Sequence, residues 1–203
     1  MKSISSFILA ICLFALPAAA QLPAAVTDPD IPITWLGLDF EEALIIGDAS
    51  LDMPSFTGIY ARKINDIIEN QPKRYDLEKY LKKKTVHYET DMLNESNAII
   101  FTDNFVPSAP NLQSFTMEEI ADLVADYSLK DDTGVGVALI VRAMDRTKRR
   151  LRANLTYIDM ESKTVLYTRE FTVSAGGTEW AAYWANAVRR VLMEMQKEIK
   201  GKG

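Results

Sequence analysis

Carboxylates are the one class of side chain in this sequence grouped closely enough to suggest chemistry. Asp39, Glu41, Glu42 and Asp48 crowd the end of the first predicted strand, and in open α/β sheets ligands often sit at strand carboxyl ends. Such a group offers the hard oxygen donors that Ca²⁺ or Mg²⁺ requires. Its spacing matches no metal-loop pattern, so a solvated acidic turn is the simpler expectation and no metal or cofactor is assigned. Nucleophilic catalysis has little to draw on. Cys12 is the one cysteine and His87 the one histidine, and a Ser–His–Asp arrangement or a His/Cys zinc site would have to use them. His87 alternates with Val86 and Tyr88 and is expected on a strand surface. No catalytic residue is assigned.

Other groups have the chemistry to contact an anion. Gly176-Gly177-Thr178 puts flexible backbone and a hydroxyl at a helix start, where free amides attract negative charge. The simpler reading is a tight turn with Thr178 as N-cap. Arg149 and Arg150 share a turn with Lys148 and Arg152, near Arg142 and Arg146, and Lys82–Lys84 form a second basic patch. Either patch suits an anionic lipid, a glycan or an acidic partner, with solvated charge as the plain alternative. No aromatic residues interleave the patch, as a single-strand reader requires. The net charge is −5, or −6 without Lys2, so nucleic acid is not an expected partner. Trp180, Tyr183 and Trp184 would suit a sugar, but both tryptophans fall on an apolar helical stripe. Asn94-Glu95-Ser96 and Asn154-Leu155-Thr156 match the glycosylation pattern, the second in mid-strand, and both are discounted. The ligand-binding candidates are thus Asp39, Asp48, Gly176, Gly177, Thr178, Arg149 and Arg150.

The elements that must position these groups centre on residues 134–199. Gly134–Ala143, Arg150–Ile158 and Thr164–Val173 are rich in Val, Ile, Leu, Tyr and Thr, which suits strands. Connectors as short as Arg146–Arg149 and Asp159–Lys163 join antiparallel neighbours, so the unit reads as a meander. Gly134–Val141 is apolar on both faces and should be central and covered on both sides. Trp180, Trp184, Ala187, Val188, Val191, Leu192, Met195 and Ile199 then repeat at helical spacing, with Arg189, Arg190, Glu194 and Lys197 opposite.

Upstream, Ile33–Leu38 reads as a strand and Phe40–Gly47 as a bend with a second apolar piece. Pro54 and Ser55 open a helix with the stripe Phe56, Tyr60, Ile64, Ile67 and Ile68, stopped by Pro72. Asp76–Lys84 reads as a short basic helix, Thr85–Glu89 as a strand, Asp91–Asn97 as a loop and Ala98–Phe105 as a strand. Thr116-Met117-Glu118-Glu119 has the form of a capping box opening a helix with Ile120, Leu123, Val124 and Tyr127 on one face. The expected class is α/β (α+β): one mixed sheet with a C-terminal antiparallel meander and helices packed on it.

Residues 1–20 read as a signal peptide, with Lys2, the apolar run Phe7–Leu16 and small residues before Gln21. Ile11 before Cys12 argues against a lipoprotein signal. The apolar run is too short to span a bilayer and no longer one follows. Gln21–Pro32 is expected as a flexible lead-in and residues 33–200 as a single domain. A cysteine-free chain after export has no disulfides and depends on its core. A bacterial periplasmic or surface setting follows.

Gly134-Val135-Gly136-Val137, the turn Ile158–Lys163 followed by Val165-Leu166, Ala175-Gly176-Gly177 with Tyr183-Trp184-Ala185, and Thr34–Phe40 resemble a group of exported Bacteroidetes proteins of uncharacterised function. The layout is also similar, in topology alone, to the TolB N-terminal domain and CsgG-like envelope domains. The resemblance implies an envelope accessory role and carries no functional residue across. The leading expectation is a non-catalytic exported accessory or binding protein, its partner an unknown envelope protein or small ligand. A carboxylate- or metal-dependent hydrolase using Asp39 and Asp48, and an oligomeric structural component, are the alternatives.

Overall fold

A computed structural model describes residues 21–48, 51–99, 102–108, 111–129 and 133–201. The expected signal peptide lies outside the described residues. One seven-stranded mixed sheet runs through the molecule, with helices on both faces. In chain order the elements are α1 (Ala24–Thr27), β1 (Ile33–Asp39), β2 (Leu44–Ile46), α2 (Met53–Ser55), a π-helical stretch Phe56–Tyr60, and α3 (Ala61–Asn70). Next come α4 (Leu77–Leu81), β3 (Val86–Tyr88), α5 (Asp91–Ser96), β4 (Phe105–Val106) and α6 (Met117–Ala125). The chain ends with β5 (Val135–Asp145), β6 (Arg150–Asp159), β7 (Thr164–Ser174) and α7 (Trp180–Gly201).

β5 is the axis of the sheet. Along one edge it pairs in parallel with β1 and, further on, with β2; along the other it pairs antiparallel with β6, which pairs with β7. β3 extends the sheet beyond β1, and β4 beyond β2, both parallel. The two meander turns share one device. Asp145 accepts from the Lys148 amide at 2.8 Å and Asp159 from the Ser162 amide at 2.9 Å, while Arg149 and Lys163 close the turns in left-handed conformation.

As its two-sided apolar pattern implies, β5 is covered on both faces. Val137, Leu139 and Val141 join the larger core, under α3, α4 and α7; Ala138 and Ile140 join a smaller one, under α5 and α6. The α7 stripe is buried from Trp184 to Ile199, with Trp180 half-buried at its start. Thr116 and Glu119 form the expected capping box.

Three expectations are corrected. Asp91–Asn97 is no loop but the helix α5, because Met92 and Leu93 are buried in the smaller core. Ala98–Phe105 is not a strand: 3₁₀ turns occupy Asn97–Ile99 and Thr102–Asn104, and only Phe105 and Val106 pair. Residues 100–101 of that stretch lie outside the described residues. Gln21–Pro32 is not a loose lead-in as a whole, since Leu22 and Val26 are buried in the larger core.

The second correction has a physical cause at the edge of β1. β3 pairs only with Ile33–Trp35, so further along β1 the backbone would lack partners on that side. Two buried asparagines supply them. Asn65 accepts from the Leu38 amide at 3.0 Å, while Asn97 accepts from the Phe40 amide and donates to the Leu38 carbonyl, both at 2.8 Å. A bulge between Trp35 and Gly37 brings the strand up to Asn65. Gly37 has φ +100°, and a Cβ there would lie 3.1 Å from the Asn65 amide.

Candidate binding site

The acidic cluster comes apart in three dimensions. Asp39 is 1% exposed. It accepts from the Tyr127 hydroxyl at 2.6 Å and from the Glu41 amide at 2.9 Å. Burial raises its pKa against the lowering effect of these two bonds, and Glu42 adds to the rise. Burial likewise pushes the Tyr127 hydroxyl well above its ordinary value. A solvated turn therefore describes Glu41 and Glu42, both exposed, but not Asp39. Asp48 lies past β2, where the Trp180 indole N–H donates to it at 2.7 Å. Asp39 and Asp48 are thus committed to different partners. Among the described residues, no three His, Cys, Asp or Glu side chains are placed to hold a metal ion.

Glu41 and Glu42 instead face α6, lining a cleft of about 350 Å³ with Phe115, Glu119, Asp122, Asp126 and Arg142. Burial, then Asp39, Glu42 and Asp126, raise the Glu41 pKa. Two of these charges have structural work. Glu119 closes the capping box, and Arg142 lies 4.5 Å over the Phe115 ring while donating to the Gln113 carbonyl.

The turn before α7 is occupied by the chain itself. Thr178 is exposed and does not cap the helix. Glu179 does: its carboxylate accepts from the Ala182 amide at 2.8 Å and from Lys63 at 2.9 Å. The helix starts one residue later than expected, and the longer Glu side chain, fixed from α3, reaches the amides. Lys63 first, then the Ala182 amide, lower the Glu179 pKa. A carboxylate thus already takes the place an anion would seek. Gly177, at φ +144°, is pressed against Tyr183 and Asn186, and Asn186 donates to the Gly176 carbonyl. Arg149 and Arg150 are exposed at the neighbouring hairpin tip, where the Arg149 carbonyl accepts from the Ala175 amide. The structure therefore brings the glycines and these two arginines to one end of the sheet. Arg152 leaves that group: it pairs with Glu170 at 3.0 Å and donates to the Leu112 carbonyl.

His87 is exposed on β3. Trp184 is 1% exposed in the core, and Trp180 packs edge-on to Phe56 and Trp184. Neither tryptophan offers a flat sugar platform. Asn154 is buried in β6.

The patch at Lys82–Lys84 gains most from the fold. α4 starts at Asp76, whose side chain caps the Lys79 amide, and ends at Lys82 in left-handed conformation. Lys83 is 4% exposed, and its ammonium donates to the Ala25 and Asp28 carbonyls at 2.7 and 2.6 Å. Burial holds its pKa below the ordinary lysine value, with Asp28 pulling the other way. This lysine clamps the lead-in segment against α4. The resulting cleft, about 460 Å³, is lined by Thr27, Pro29, Glu78, Lys82, Lys83, Lys84, Ile199 and Lys200. Lys84 pairs with Asp30 at 2.5 Å. Lys82 and Lys200 form no ion pair with another described residue. The lysine run is visible in sequence; its meeting with Lys200 and Pro29, far away in the chain, is not.

No family model matches this sequence. No curated protein matches it either. Among solved structures, a Xanthomonas campestris protein of the family DUF330 is similar at 14% identity, over 90% of this chain and 86% of its own, with a TM-score of 0.34. A likeness that slight carries no argument, and neither the Bacteroidetes nor the TolB- and CsgG-like resemblance gains support from it.

Proposed function

We propose that this is an exported, non-catalytic binding protein of the bacterial envelope, and that the lysine cleft takes its anionic ligand. One observation carries the reading: among the described residues, four lysines line a single cleft with one carboxylate, Glu78, in its wall, and two of them, Lys82 and Lys200, form no ion pair. The partial negative charge at the C-terminus of α7, about half a unit, offsets only part of that excess. Of the other candidates, Asp39 is engaged by Tyr127, Asp48 by Trp180 and the α7 start by Glu179, while Arg149 and Arg150 stand exposed at a hairpin tip. Export, and with it the envelope setting, rests on the sequence of residues 1–20.

Thermal melting with glycerol phosphate tests the reading. A ligand that binds only the native state raises Tm by mass action. Glycerol phosphate should raise it in the parent and not in a Lys82→Asn/Lys200→Gln variant, whereas Ca²⁺ and Mg²⁺ should leave both unchanged. No response to this phosphate ester, either free or displayed on a vesicle, would overturn the proposal.

A further inference from the structure

We infer that the anion taken by the lysine cleft is the phosphate of a bilayer lipid, so that the C-terminal end of α7 is a membrane-docking surface. The inference rests on the reading above and names its ligand. The cleft is not purely polar. Pro29, the buried Ile199 and the methylene stems of Lys82, Lys84 and Lys200 give it an apolar lining beneath the charges. That combination suits a headgroup phosphate with glycerol and acyl carbons below it better than a small hydrated anion.

Chain geography points the same way. Gln21, Leu22 and Pro23 line the adjoining cleft with Tyr167, Arg169 and Glu198, so the lead-in wraps the end of α7 next to the lysines. On the same stretch of α7, Met193 is an exposed apolar side chain and Lys200 follows at i+7 on the same helical face, while Lys197 between them pairs with Glu194 at 2.7 Å. Attraction of this kind is worth about 1 kcal/mol per lysine near an anionic surface, or roughly fivefold in affinity each.

Flotation of the exported chain, from Gln21 onward, with vesicles is the test. Vesicles of phosphatidylcholine with about 30% phosphatidylglycerol should bind it, pure phosphatidylcholine should not, and roughly 0.5 M salt should release it. Lys82→Asn/Lys200→Gln should weaken binding about tenfold or more; asparagine tolerates the left-handed backbone at position 82. Circular dichroism melting confirms that the variant is folded, and a Lys84→Gln/Lys200→Gln variant serves if it is not. Lysine-dependent binding of glycerol phosphate without vesicle binding would overturn this inference and leave the anion reading standing. Salt-independent binding to pure phosphatidylcholine would overturn it by showing apolar insertion instead. Failure of both vesicles and glycerol phosphate would remove the two proposals together.

Discussion

Where α7 lies on the meander, the buried contact is apolar, with polar pairs such as Arg190–Ser174 and Arg169–Glu198 at its margins. Trp184, Val188, Val191, Leu192 and Met195 sit in one core with Leu151, Ala153, Leu155 and Phe171. Along the outer edge of β1, the chain is instead held by side-chain amides bonded to backbone. Asn65 and Asn97 serve Leu38 and Phe40, and Asn104 donates to the carbonyls of Glu41 and Ala43. The first region tolerates exchange of one apolar side chain for another of similar volume. The second depends on single atoms, because a buried donor or acceptor without a partner costs its full desolvation. The lesson extends to function: near β1 the charged Asp39, Glu119 and Arg142 serve the fold, whereas at the far end of α7 Lys82 and Lys200 form no ion pair among the described residues.

The largest effect should come from Trp184→Ala. Removing a buried indole forfeits transfer energy and leaves a cavity, at about 3–5 kcal/mol, out of roughly 5–15 kcal/mol for a domain. Denaturant melts would show this; a variant as stable as the parent would take α7 out of the core. Asn97→Ala should come next, at roughly 1–3 kcal/mol for each backbone group it strands. Hydrogen exchange would register faster loss of protection at the Phe40 amide, while the meander stays protected. Uniform loss across both regions would erase the distinction between them.

Tyr127→Phe adds a pH dependence. The Asp39 carboxyl is held above its ordinary pKa, so the fold binds its proton more tightly than the unfolded chain does. This group's contribution to stability therefore falls as pH rises from the ordinary carboxylate pKa through the raised one. Without the Tyr127 hydroxyl the pKa rises further and that window extends upward. The variant should cost about 1.5–3 kcal/mol once Asp39 is ionised and roughly 0.5–1.5 kcal/mol in acid, where the bond is neutral. Melts at acid and neutral pH check the sign, and a cost that grows toward acid would contradict it. The smallest effect belongs to His87→Ala. An exposed strand residue should change stability by no more than about 0.5 kcal/mol and leave phosphate-ester binding unaltered in a Tm titration.

Legibility follows the same division. The meander, α7 and the capping box of α6 were readable because burial imposes a period on apolar residues and a cap imposes a local motif: Trp184, Val188 and Val191 on α7, Thr116 and Glu119 at α6. Residues 91–105 were misread for the opposite reason. Met92 and Leu93 form no periodic stripe, and nothing local in Asn97 announces a bond to a backbone amide 57 residues upstream. The same distance hid Tyr127 from Asp39, separated by 88 positions.

By itself the sequence determined the mixed α/β class, the central place of β5 and the face α7 buries, since each depends on hydrophobic burial repeated at a regular interval. Only the tertiary structure decided which charges remain uncommitted. It buried Asp39 under Tyr127, closed the α7 start with Glu179, and brought Lys82, Lys83 and Lys84 against Lys200. Ionic and hydrogen-bonded partners are chosen by proximity after packing, and proximity across long stretches of chain leaves no periodic mark in the residues themselves.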